Sequence, residues 1–229
     1  MNSTASIKAL CGENNGIVCT SSNANKAFEW AFERGERILF VPDQHLGRNT
    51  GLDYGIKESE MVIWDPYKKN GGLSDEELIN SKLILWKGHC SVHTRFSVDQ
   101  INSARTKYPD VNILVHPECT NEVVSRADYV GSTEYIKNMV HDAPSGSNWA
   151  IGTEINLVKR LAHTYTDKNV FCLDDMICPC STMYMIHPAY LMDVLERITD
   201  GEIPNQIKVT EDVQKGSLLA LERMLSIKK

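Results

Sequence analysis

Cys178-Pro179-Cys180 places two thiols one residue apart, after an apolar strand-like segment and ahead of a helical one. Thiolates are favoured beside the positive end of a helix, and as soft ligands they select zinc or iron–sulfur clusters. A small buried apolar role is the competing reading for any cysteine. Cys90-Ser91 repeats the arrangement of Cys180-Ser181, again between strand and helix. His116 and Glu118 stand two residues apart at a strand end, so their side chains can point the same way. An imidazole and a carboxylate facing one pocket suit acid–base work, and a histidine that merely donates to a substrate carboxylate fits equally well. Ser21 and Thr133 fall at the starts of expected helices, where free N–H groups attract anions and where ordinary caps also sit. Asp43, His45, His89, His93 and Arg95 share these loops and read as groups that orient them. Cys11, Cys19, Cys119 and Cys172 read as small apolar side chains, Cys178 as a structural or ligand-supporting thiol, and His141, His163 and His187 carry no assigned role.

Strands alternating with helices must position these groups. Arg37–Val41, Lys82–Trp86, Val111–Val115, Asn148–Glu154 and Asn169–Leu173 are apolar runs of strand length, of the kind found in parallel sheets covered on both faces. Gly16–Cys19 and Asp128–Val130 read as shorter strands. Helices are expected over residues 3–11, 24–34, 98–108, 120–126, 134–141, 155–162, 188–198 and 212–227. Pro42–Asn49 reads as a polar loop and residues 50–80 as an insertion. The pattern predicts an α/β architecture of parallel sheets, whose ligand sites lie at the carboxyl ends of the strands.

The 229 residues carry a net charge of −6, with no long Lys/Arg run, which argues against a nucleic-acid partner. No apolar run approaches a membrane span, and the N-terminus lacks the pattern of a secretory signal. Seven cysteines, an odd number spread over a chain this long, do not resemble a secreted disulfide framework. A cytoplasmic location is expected.

The chain also repeats. Residues 2–90 and 116–180 show the same order of features, and Ser21 to Asp43 spans 22 residues, as does Ser132 to Glu154. Cys90 and Cys180 thereby occupy equivalent positions. Asn2 corresponds to His116, which follows a full strand, whereas only Met1 precedes Asn2; the first copy is expected to start part-way through a unit.

At His116-Pro117-Glu118, Gly131-Ser132-Thr133, residues 42–48 and Gly88-His89-Cys90-Ser91-Val92-His93 the sequence resembles the quinolinate synthases of de novo NAD biosynthesis, along essentially its whole length. The resemblance implies three similar small three-layer α/β domains about a pseudo-threefold axis, each giving one cysteine to a [4Fe-4S] cluster. It implies iminoaspartate, made by L-aspartate oxidase, and dihydroxyacetone phosphate as substrates. Cys90 and Cys180 then correspond to the second and third cluster cysteines, and Asn2, Ser21, His116, Glu118 and Thr133 to substrate-binding positions, with His116 and Glu118 catalytic. Residues 1–90 would be the second family domain, with its start cut short, 91–180 the third, and 181–229 a C-terminal helical segment. The first domain and its cysteine have no counterpart here, so this chain is expected to be inactive alone. The alternative is a non-catalytic metal-binding or structural α/β fragment.

Overall fold

The computed structural model describes residues 2–176 and 179–227, so Cys178 lies outside the described residues. The first half contains α1 (Ala5–Glu13), α2 (Ala24–Phe32), β1 (Ile38–Phe40), α3 (Gln44–Asp53), β2 (Met61–Trp64), α4 (Asp75–Asn80) and β3 (Leu83–Trp86). Then come α5 (Val98–Lys107), β4 (Asn112–Val115), α6 (Asn121–Val124), β5 (Tyr129–Val130), α7 (Thr133–Asp142), β6 (Asn148–Gly152), α8 (Ile155–Thr164) and β7 (Asn169–Cys172). Three helices close the chain: α9 (Ser181–Tyr184), α10 (Pro188–Thr199) and α11 (Glu211–Ser226). All strand pairing is parallel, in one sheet ordered β1-β3-β2 and another ordered β5-β4-β6-β7.

The second sheet is the middle of a three-layer sandwich. Alternation along a strand sends successive side chains to opposite faces. Ile113, Val115 and Ala150 accordingly join Ile101, Ala104 and Val123 on the α5–α6 side. Leu114, Trp149 and Ile151 join Ile136, Val140 and Val158 on the α7–α8 side. The first sheet differs. Leu83 and Leu85 are sealed under α2 and α3 with Phe28, Phe40 and Leu46, whereas Leu39, on the opposite face of β1, is 58% exposed. In this chain β1 is therefore covered on one face, not both.

Two local expectations change. Residues 44–53, expected as the end of a polar loop and the start of an insertion, form α3. The Asp43 carboxylate caps it by accepting from Leu46 N–H at 2.8 Å. Gly47 and Gly51, four residues apart on one helix face, let it lie directly on the strands; added Cβ atoms there would come within 2.6 Å of Phe40, Leu85 and Leu83 side chains. A helix that packs through glycines has little apolar periodicity to read. The inserted stretch is likewise no mere loop, since Met61–Trp64 adds β2 beside β3.

Gly16–Cys19, expected as a strand, is not one. Its backbone bonds instead to α11: Val18 N–H donates to Ala220 O, and Arg223 Nη1 to Gly12 O and Gly16 O at 2.9 and 2.7 Å. Helix α11 crosses α1 at Gly12 and Gly216, with Ser217 Oγ donating to Ala5 O at 2.8 Å. Between these ends α9 and α10 bury none of their residues, and Leu191, Leu195, Ile198 and four methionines, Met176, Met183, Met185 and Met192, face solvent. No helix among the described residues is long and apolar enough to cross a membrane.

Candidate functional site

The polar side chains gather where the strands end. After β1, Asp43 divides its carboxylate: Oδ1 caps α3, and Oδ2 accepts from Cys90 N–H at 2.9 Å, tying the loop after β3 to the end of β1. Gly88 lets this loop pass Pro42 O, since a Cβ there would collide with that carbonyl. Glu154, the counterpart of Asp43 in the repeat, caps α8 by accepting from Asn156 N–H at 2.9 Å. Each acid thus caps the helix that follows its strand.

After β4, His116 and Glu118 meet His93 from the loop beyond β3. His93 Nδ1 lies 3.0 Å from Glu118 Oε2, His93 Nε2 lies 3.2 Å from Thr153 Oγ1, and the His93 and His116 rings stack at 4.4 Å. The Cys90 thiol completes the cluster; ligand atoms of Cys90, His93 and Glu118 all lie within 4.8 Å of one another. Asn49 on α3 locks this corner together: its Nδ2 donates to Pro117 O and Cys119 O at 2.8 and 2.9 Å, and its Oδ1 accepts from Asn121.

Burial alone would discharge His93, but its hydrogen bonds to Cys90 and Glu118, with their negative charge, outweigh that and push its pKa up to about 9. Burial also dominates at His116, and with the neighbouring His93 charge it brings the pKa down to about 4. His116 Nδ1 accepts from Glu118 N–H at 3.3 Å, which leaves the proton of the neutral ring on Nε2. Burial raises the Glu118 and Cys90 pKa values, but the hydrogen bonds from His93 reverse the sign and both are lowered. At neutral pH the corner thus holds an imidazolium, a neutral imidazole, a carboxylate and an acidified thiol. Cys119, fully buried close by, is pushed up by burial and stays a thiol.

His116, Glu118 and Cys90 are therefore brought together as expected. Cys180 is half-buried and packs on the same apolar cluster as Cys90. Asn2 is exposed ahead of α1. Ser21 lies in the turn before α2 and Thr133 is the first residue of α7, but the caps are Asn23 and Ser132. No hydrogen bond among the described residues joins Asn2, Ser21 or Thr133 to His93 or Glu118. His93, expected only to orient its loop, and Thr153, which the sequence did not single out, also belong to the site; the Cys90-x-x-His93 spacing was the available signal for the first.

Paired parallel α/β sheets with a thiol, two imidazoles and a carboxylate at their strand ends define an α/β protein with a metal-capable polar site. The family model for NadA, quinolinate synthetase A protein, matches residues 1–226, and this chain belongs to that family. It is 56% identical over 227 residues to the quinolinate synthase of Corynebacterium glutamicum, covering 99% of this chain and 58% of the relative. It is 52% identical to that of Streptomyces coelicolor, over 99% of the chain and 58% of the relative, and 54% identical to that of Acidobacterium capsulatum, over 100% and 62%. The chain thus spans about three fifths of these curated relatives.

Proposed function

We propose that this chain supplies part of a quinolinate synthase, the enzyme that condenses iminoaspartate with dihydroxyacetone phosphate, and that it does not turn over alone. The reading is carried by the convergence of His93, His116 and Glu118 with Cys90 at the strand ends, on the core that also seats Cys180. His116 presents Nε2–H to a substrate carboxylate. Glu118, ionised, accepts a proton in the imine–enamine and dehydration steps, and His93 beside it keeps a proton available. Ser21, Thr133 and Asn2 are proposed to complete the hold on two anionic substrates.

The donor set fits an iron–sulfur group. Cys90 and Cys180 are free, half-buried thiols on one apolar cluster, and the Cys90 thiol is acidified. We assign them as two thiolates of a [4Fe-4S] cluster, a further ligand coming from the portion of the relatives that this chain does not span. When bound, such a cluster supplies a Lewis-acidic iron for a substrate oxygen. Residues 1–90 and 91–180, each holding one copy of the repeat, would be two domains of the family, with 181–229 as a helical appendage. L-aspartate oxidase would furnish the imine, and free thiols suit a cytoplasmic setting.

Anaerobic reconstitution with iron and sulfide tests the assignment. Iron and sulfide should be retained with thiolate-to-iron absorbance, and lost in Cys90→Ala and Cys180→Ala. Retention in both variants overturns the ligand assignment, and quinolinate formed by this chain alone overturns the partial-enzyme reading.

A further inference from the structure

Beyond the cluster reading, the geometry points to a second metal mode: we propose that Cys90, His93 and Glu118 bind one zinc ion, without Cys180, in competition with cluster assembly. Three observations support it. The three ligand atoms converge within 4.8 Å of one another. Tetrahedral zinc needs bonds of about 2.3 Å to sulfur and about 2.0–2.1 Å to nitrogen or oxygen, so the donors must close by only about an ångström.

The imidazole is already presented correctly. Its Nδ1 faces Glu118 at 3.0 Å, while Nε2 lies 3.2 Å from Thr153 Oγ1. A proton held on Nε2 toward Thr153 leaves Nδ1 as the metal-facing lone pair, the role an outer hydrogen bond commonly plays for a zinc histidine. The backbone is fixed too. Asp43 Oδ2 accepts from Cys90 N–H, and Thr94 Oγ1 donates to Cys90 O at 3.1 Å, so the thiol and His93 sit on one restrained turn.

A thiolate, an imidazole and a carboxylate form a mixed donor set that suits zinc better than magnesium or calcium, which prefer all-oxygen shells. With three protein ligands, water takes the fourth position. Zinc takes Cys90 as a thiolate and His93 as a neutral imidazole, so binding releases protons. Because Cys90 is shared, zinc and the cluster exclude each other. Zinc also draws His93 and Glu118 away from substrate.

The test uses this chain, metal-free and held anaerobically in a non-chelating reductant, titrated with zinc, and with cobalt(II) as spectroscopic stand-in. One metal per chain is expected, with a thiolate-to-cobalt charge-transfer band and tetrahedral ligand-field bands. Cys90→Ser, His93→Gln and Glu118→Gln should each weaken binding at least tenfold, Thr153→Val roughly ten- to a hundredfold, and Cys180→Ser should leave it unchanged. X-ray absorption on the unaltered chain, which does not depend on any variant folding, should find one sulfur per zinc. Two sulfurs per zinc, dependence on Cys180, or no stoichiometric zinc overturns the proposal. Cys180 separates the two readings: iron and sulfide uptake should need it and zinc uptake should not, so either can fail alone.

Discussion

Arg95 donates from both Nε and Nη2 to one oxygen of Asp174, at 3.3 and 3.1 Å, joining the loop that carries Cys90 to the segment that leads to Cys180. The other Asp174 oxygen accepts from Met176 N–H at 2.9 Å, so a single carboxylate shapes that segment and anchors it across 79 residues of sequence. Asp174 is buried while Arg95 is partly exposed, so removing the guanidinium strands the acid rather than merely losing a surface pair. Arg95→Met should cost about 1–2 kcal/mol in urea unfolding, and Arg95→Lys should recover only part of it, because an ammonium cannot reproduce the two-nitrogen contact. Equal stability of Arg95→Met and the parent would show that the pair does not hold the loops.

The stacked histidines should make stability depend on pH in both directions. His93 has a folded pKa raised from 6.5 to about 9, so its contribution is complete below pH 6.5 and is lost as pH rises through about 9. His116 has a folded pKa lowered from 6.5 to about 4, so it costs nothing above pH 6.5 and destabilises as pH falls toward 4. The pair's contribution therefore peaks near pH 6.5, with roughly 1–3 kcal/mol at stake on each side. Thermal melts from pH 4 to 9 should show His93→Gln flattening the alkaline limb and His116→Gln the acid limb. NMR should find His93 protonated and His116 neutral at pH 7.

Gly12→Ala should reverse the usual ranking of helix formers. In an unobstructed helix interior, alanine is better than glycine by about 1 kcal/mol. Here the added methyl collides with the Gly216 carbonyl of α11, which is backbone and cannot swing aside. Overpacking costs about 1–3 kcal/mol, so a net loss near 1–2 kcal/mol is expected in chemical unfolding. A more stable Gly12→Ala would mean that α1 and α11 do not cross this closely.

Asn49→Ala should uncouple α3 from the corner holding His116 and Glu118. It removes the donor shared by Pro117 O and Cys119 O and the acceptor used by Asn121. Buried polar groups left unpaired cost about 1–3 kcal/mol, so a loss of at least 2 kcal/mol is expected. Unfolding followed by tryptophan fluorescence and by backbone circular dichroism should coincide in the parent and separate in Asn49→Ala. Trp86 and Trp149 report on different sheets.

The alternation of apolar strands and periodic helices was legible from Val98 to Thr164, because both faces of that sheet are buried and each strand is a continuous apolar run. It failed at α3, whose packing face is glycine, and at Gly16–Cys19, whose backbone partners lie some 200 residues away on α11. At the site, His116, Glu118 and Cys90 could be read from spacing. His93 could not be ranked above its polar neighbours, because its importance comes from where Glu118, Thr153 and His116 are placed around it. Thr153 carried no signal at all, being a threonine at a strand end like many others.

The unburied face of α9 and α10 also bears on the chemical ageing of the protein. Met176, Met183, Met185 and Met192 all stand in solvent on or near the helices that follow Cys180. Oxidants convert exposed thioethers to polar sulfoxides, so peroxide would roughen this surface while leaving the sealed cores untouched. Samples handled in air should therefore gain mass in oxygen increments at these positions, with the apolar character of that face fading before any unfolding occurs.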